Sequence, residues 1–280
     1  MSHPWAPTSP CGERCVTGAG RVSVPTACLR WAALILAASS MLLFPLLRAL
    51  PAATRTRCHR RLARAALRGI GIRVDGDAEL RVPHGTLVVA GHVSWLDVLV
   101  LAAVVPGRFV ARADLVTWPL LGAVARRARV ITIERDRLRS LPATVAVVRD
   151  RLSAGETVIA FPEGTTWCGR AYGRFRPALF QAAIDAQRPV LPLSVDYLDA
   201  AGDGTTLPAF VGADTIGASM RRVVRAWGLR ARVTAGELQH PGGDRRELAD
   251  RCAQQVRDGS RTVADRLLAR LDEPVHEHAA

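Results

Sequence analysis

The chain has 280 residues, 49% of them apolar and only 5% aromatic, and carries a formal charge of +13. That length suits one large domain with its own core plus an extra terminal segment, and the apolar share excludes a disordered chain. All 38 basic side chains are Arg, so the surface favours anionic partners such as acidic lipid head groups or nucleic acid.

Residues 1–20 are rich in Pro, Gly, Ser and Thr without periodicity and read as a mobile tail. Next comes "CLRWAALILAASSMLLFPLLRALP", with no charge between Arg30 and Arg48. As a helix this run is about 25 Å long, slightly short of the roughly 30 Å hydrocarbon core, so it spans a thin bilayer or lies deep in one leaflet. A signal peptide is the competing reading. The distance from Met1 and the lack of a good cleavage pattern before a polar start argue against it. "TRTRCHRRLARAALRGIGI" then packs six Arg, from Arg55 to Arg68, around a modest apolar stripe of Leu62, Ala65, Ala66 and Leu67. It reads as a basic amphipathic helix lying on anionic lipid, and the Arg excess puts the rest of the chain on the cytoplasmic side. A nucleic-acid-binding arm fits the charge but not the adjacent apolar run.

From about residue 71 short β-type runs, "TLVVA", "RFVAR", "RVITI", "TVIAFP", "PVLPLSV" and "RARVTAGE", alternate with helical stretches, "WLDVLVLAAVV", "LRSLPATVAVVRDRLSAG", "RPALFQAAIDAQ" and "ASMRRVVRAWG". This alternation predicts an α/β fold, a mostly parallel sheet flanked by helices, with the N-terminal membrane-associated helical segment in front of it. A charged helix over 244–270 and a frayed end complete the chain. Among the six cysteines, Cys11 and Cys15 form the one close pair. No second pair or nearby His completes a ligand set, so no metal site is expected, and the thiols read as reduced.

Two strand ends carry the chemistry. "LVVAGHVSWLDVLV" places His92 at the carboxyl end of a buried strand and opens a helix with a capping box, Ser94 as N-cap and Asp97 at the third helical position. The capping carboxylate points back toward the incoming chain, where it meets the imidazole of His92, fixes its tautomer and stabilises the imidazolium. "VIAFPEGTTWCG" is a second buried strand running into Glu163, Gly164, Thr165 and Thr166, where exposed amides and two hydroxyls suit an anionic oxygen.

Gly-His-x4-Asp followed some seventy residues on by Phe-Pro-Glu-Gly-Thr resembles the glycerolipid acyltransferases of the lysophosphatidic acid acyltransferase type. The stretch from Phe109 to Arg137, with Pro119, Gly122, Glu134 and Arg135, resembles that family's second block, and "RPVLPLSVDY", with Pro192, its fourth. The resemblance covers roughly residues 85–197. It implies acyl transfer from acyl-CoA or acyl carrier protein to a lysolipid hydroxyl, 1-acylglycerol-3-phosphate first and lyso-ornithine lipid as the alternative acceptor. His92 and Asp97 are then catalytic, and Arg135, Glu163, Gly164, Thr165 and Thr166 form the substrate-binding set, with Glu163 organising the loop or holding an acceptor hydroxyl. No cofactor beyond the thioester co-substrate, no metal and no nucleic acid is implied. The expected place is the plasma membrane, with the catalytic domain cytoplasmic.

The divisions that follow are a flexible tail (1–20), a membrane anchor and basic amphipathic helix (21–70), an acyltransferase domain (71–240) and a C-terminal helix with frayed end (241–280). Two positions leave the family pattern. Gly91 stands where Asn is usual, and Thr166 stands where a phosphate-binding Arg is common. A serine hydrolase using Ser94 or Ser194 lacks the G-x-S-x-G elbow. A membrane-tethered basic binding protein has only net charge behind it.

Overall fold

The computed structural model describes residues 7–18, 20–40, 50–76, 80–134 and 137–271. Two helices lead in, α1 (Val24–Ser40) and α2 (Ala52–Gly69), followed by β1 (Arg73–Gly76) and β2 (Leu87–Ala90). Then come α3 (Leu96–Val104), β3 (Arg108–Arg112), α4 (Pro119–Arg127), β4 (Ile131–Ile133), α5 (Leu141–Ser153) and β5 (Val158–Ala160). The chain continues through α6 (Ala178–Asp185), β6 (Val190–Leu198), α7 (Ile216–Arg225), β7 (Arg230–Ala235) and α8 (Arg245–Leu271).

The strands form one sheet in the order β1-β7-β6-β2-β5-β3-β4. Every neighbouring pair is parallel except β6 with β7. The mostly parallel α/β sheet expected from the alternation is therefore present. Strand β1 and helix α4 are the elements the run pattern did not single out; "RVDG" is four residues long and mixed in polarity, too short for periodicity to register.

Alternation along the central strands explains the layering. Val88 and Ala90 of β2 face a core containing Leu67 of α2, Leu96 and Val100 of α3 and Val223 of α7. Leu87 and Val89 face the opposite core, with Val148 and Leu152 of α5, Phe180 of α6 and Leu248 of α8. A strand covered on both faces must be apolar throughout, and all four residues of β2 are fully buried.

The N-terminal region differs from expectation in two respects. Residues 7–18, read as a mobile tail, lie against the body. Cys11 is buried, and the Thr17 N–H donates to Thr206 Oγ1 at 2.9 Å. Half of the apolar stripe of α2 packs on α3 and not on lipid: Ala66 and Leu67 are buried together with Ala63 and Ile70, while Leu62 is half-buried and Ala65 exposed, and Arg64 donates to the Ala103 carbonyl at 3.1 Å. Among the described residues no helix is long and apolar enough to cross a membrane; positions 41–49 of the uncharged run lie outside them.

Candidate active site

β2 and β5 are adjacent parallel strands in register, Leu87 opposite Val158 and Val89 opposite Ala160. Their carboxyl ends therefore release His92 and Glu163 side by side, at the edge where α/β sheets place ligands.

His92 Nδ1 lies 2.9 Å from Asp97 Oδ2. A carboxylate only accepts, so Nδ1 carries the hydrogen and Nε2 keeps its lone pair. Asp97 is fully buried, whereas the His92 side chain is 19% exposed, so this pair has one dry and one accessible partner. The same Oδ2 accepts the N–H groups of Val93 (2.7 Å) and Ser94 (2.9 Å). The Leu96 N–H donates to Ser94 Oγ at 3.3 Å. The Asp97-to-Ser94 bond is one half of the expected capping box; in the other half Ser94 Oγ takes the Leu96 N–H instead, the Asp97 N–H bonds the Ser94 carbonyl at 3.1 Å, and α3 starts at Leu96 with Trp95 and not Ser94 at its N-cap. The imidazole also stacks on Phe161, ring centroids 4.1 Å apart and planes 15° from parallel, which fixes its remaining rotation.

Tyr197 completes the constellation and was not singled out in the sequence. Its hydroxyl donates to Asp97 Oδ1 at 2.6 Å from the end of β6. Complete burial and the neighbouring carboxylate push this phenol well above its usual range, so it stays a donor at any physiological pH. A signal was available. Leu191, Leu193, Val195 and Tyr197 share one face of β6, and a tyrosine closing an otherwise aliphatic buried row needs a polar partner for its hydroxyl.

Glu163 is buried and braces the loops. Its Oε2 accepts the His92 N–H (2.7 Å) and its Oε1 accepts the Gly173 N–H (2.8 Å). With both oxygens on backbone, it ties "GH" to "FPEGT" and organises the loop, the first of the two roles expected of it, in place of holding an acceptor hydroxyl. Burial raises its carboxyl from 4.5 to about 7, against the lowering effect of those two N–H groups. The folded state thus holds a proton that the unfolded chain has released between those values. The resulting stability is present at low pH and is lost as pH rises through about 7, an effect of roughly 2 to 3 kcal/mol between pH 5 and pH 8. Glu163→Gln is expected to remove that slope. Urea midpoints of both proteins at the two pH values check it, and an identical pH dependence in the two would contradict it.

The family model for acyltransferases matches residues 71–196. A 1-acyl-sn-glycerol-3-phosphate acyltransferase of Neisseria gonorrhoeae is 36% identical over 150 residues, 53% of this chain and 59% of that protein, so the chain spans less than two thirds of this relative. A lyso-ornithine lipid O-acyltransferase of Pseudomonas aeruginosa is 33% identical over 189 residues, 66% of this chain and 70% of that one. The chain belongs to the acyltransferase family. The solved 1-acyl-sn-glycerophosphate acyltransferase PlsC of Thermotoga maritima has the same fold, with a TM-score of 0.63 at 17% identity over 86% of this chain and 95% of that one.

The remaining expected residues fall differently. Gly164 has φ 74°, and a Cβ there would lie 2.7 Å from Pro7 Cγ, so glycine is required both for the turn and for the approach of the N-terminal segment. Its N–H donates to the Phe161 carbonyl at 3.1 Å, which removes it from the set of free amides expected to face an anionic oxygen. Thr165 is half-buried beside it. Thr166 donates its hydroxyl to the Phe210 carbonyl, so it anchors the loop and is not free for a phosphate. Gly91 is not conformationally forced. A Cβ there meets Val256 Cγ1 and Glu163 Oε2 only at ordinary contact distances of 3.6 and 3.8 Å. Arg135 lies outside the described residues.

Proposed function

We propose that this acyltransferase moves a fatty acyl group from a thioester, acyl-CoA or acyl carrier protein, to the free hydroxyl of a lysolipid. The observation that carries the reading is the His92–Asp97 pair, with Nδ1 hydrogen-bonded to a buried carboxylate and Nε2 left with its lone pair. Nε2 takes the acceptor's proton as the hydroxyl oxygen attacks the thioester carbonyl carbon. The C–O bond forms, the tetrahedral intermediate collapses, the C–S bond breaks, and the thiolate leaves with the proton held on the imidazolium. No acyl-enzyme is required, because the thioester is already activated. Asp97 stabilises the transient imidazolium, and the Thr165 amide is the donor we assign to the developing oxyanion.

The acceptor is 1-acylglycerol-3-phosphate, the substrate in the Neisseria relative's name. The cation we assign to its phosphate is Arg176, whose exposed side chain passes beside Gly164; Arg135 stays a second phosphate ligand in this proposal. A second reading has its own support. Thr166 stands where the family's phosphate-binding Arg is common, its hydroxyl is held by Phe210, and the Pseudomonas relative is named for lyso-ornithine lipid. Purified protein given labelled acyl-CoA or acyl carrier protein and both lysolipids separates the two. Arg176→Ala is expected to raise KM for the phosphate acceptor about tenfold or more through loss of a charge-assisted bond, with kcat little changed. Preference for lyso-ornithine lipid, with no response to Arg176→Ala, would establish the second reading.

A lipid acceptor also requires the site to sit at a bilayer. On α1, Leu29, Ile35 and Leu36 are 72%, 63% and 71% exposed, an apolar surface suited to lipid. Arg57, Arg61 and Arg68 of α2 are exposed next to it and favour anionic head groups. Association with the cytoplasmic face of the plasma membrane through this pair of helices is part of the proposal.

A further inference from the structure

Cys11 and Cys15 come from the N-terminal segment and Cys168 from "TTWCG", on the loop beyond Glu163. They are separated by more than 150 positions in sequence, yet their sulfur atoms all lie within 4.8 Å of one another, with Cys11 and Cys168 buried. Sequence spacing gave no hint of this, because the third ligand is remote and no second pair exists.

Backbone N–H groups face the cluster, those of Arg170 and Ala171 the Cys168 sulfur and that of Cys168 the Cys11 sulfur, while burial at Cys11 works against a charged sulfur there. The carrying turn is fixed as well. The Cys15 N–H donates to the Gly12 carbonyl at 2.9 Å, and Gly212, at φ 67°, has no Cβ to keep Gly12 away; one placed there would stand 3.1 Å from Gly12 Cα. Zinc held by sulfur at about 2.3 Å in tetrahedral array separates its ligand sulfurs by about 3.8 Å, a contraction of this cluster by an ångström or less.

We infer that Cys11, Cys15 and Cys168 bind a thiophilic d10 cation, zinc in the first place, with a water in the fourth tetrahedral position. The three thiols lose their protons to solvent as the metal binds, which makes affinity rise with pH. The site clamps the N-terminal segment onto the active-site loop. Pro7 lies against Gly164, and Trp167, the residue before Cys168, donates its N–H to the His92 carbonyl at 2.7 Å. The inference does not depend on which lysolipid is acylated, or on acyl transfer at all.

The test is metal content and cadmium titration of untagged full-length protein purified without chelator. About one zinc per chain, and a thiolate-to-cadmium charge-transfer band saturating at about one equivalent, are expected. Cys15→Ser, at the least buried of the three positions, should lower cadmium affinity at least tenfold, and Cys58→Ser, on α2, should leave it unchanged. No stoichiometric metal and no cadmium band in the wild type would overturn the site. So would a band untouched by Cys15→Ser. A chain whose mass shows a Cys11–Cys168 or Cys15–Cys168 disulfide would replace the metal site with a redox link. Because the wild-type stoichiometry stands without the variants, misfolding of either one does not blur the result.

Discussion

His92→Ala is expected to lower kcat for acyl transfer by about 10³-fold or more while leaving the fold intact. General base catalysis accounts for about 10²–10⁴-fold, and Nε2 of His92 is the lone pair assigned to it. The structure also indicates why the loss should be kinetic. The backbone of residue 92 makes the architectural bonds, its N–H to Glu163 and its carbonyl from Trp167, and both survive truncation of the side chain. What disappears is the Phe161 stacking partner and the Nδ1 bond to Asp97, together about 1 to 2 kcal/mol of stability. Release of free thiol from acyl-CoA in the presence of lysolipid measures kcat, and a thermal melt measures the fold. Transfer within about threefold of wild type, with the melt unchanged, would sink the general-base reading.

Much of this was legible because parallel α/β folds write themselves in simple terms. A strand buried on both faces must be a continuous apolar run, so β2, β5 and β6 stood out, and the motif residues at their ends followed. The Asp97 carboxylate turning back to the Ser94 N–H was legible because capping is local chemistry between residues three apart, although the helix itself starts one residue later than read. What sequence could not supply is whatever depends on long-range pairing. Tyr197 meets Asp97 only because β6 lies beside β2, 100 positions along the chain. Sequence could not choose for Glu163 between organising the loop and holding an acceptor hydroxyl, because nothing local shows that Gly173 returns to cover its second oxygen. Thr166 suffered in the same way, its hydroxyl turning inward to Phe210. Amphipathicity misled in part at α2, where Ala66 and Leu67 of the stripe are buried with α3 as partner while Ala65 is exposed, since periodicity reports that a face is buried and not against what.

Asp97→Asn is the second large effect, and it separates a cap from a catalytic partner. The carboxylate accepts four hydrogen bonds, three on Oδ2 and one on Oδ1, and is fully buried. An amide in its place has one acceptor oxygen. If that oxygen keeps Val93, Ser94 and His92, the amide nitrogen faces Tyr197, whose hydroxyl can rotate to accept. The cap then survives, at a cost of about 1 to 3 kcal/mol for the lost charge-assisted bonds. The imidazolium that forms during transfer loses its counter-charge, and kcat should fall by about 10²–10⁴-fold. Asp97→Ala is less informative, because it strands the Val93 N–H, the Ser94 N–H and the Tyr197 hydroxyl at about 1 to 3 kcal/mol each, enough to confuse inactivity with unfolding. Tyr197→Phe supplies the converse. It removes one donor without touching the imidazole, so stability should drop by about 1 to 2 kcal/mol while kcat stays within about tenfold. Urea unfolding and kcat measured on both variants place them on different axes. An Asp97→Asn protein with wild-type kcat would leave Asp97 as a helix cap alone, and would require His92 to work with no help from the carboxylate beneath it.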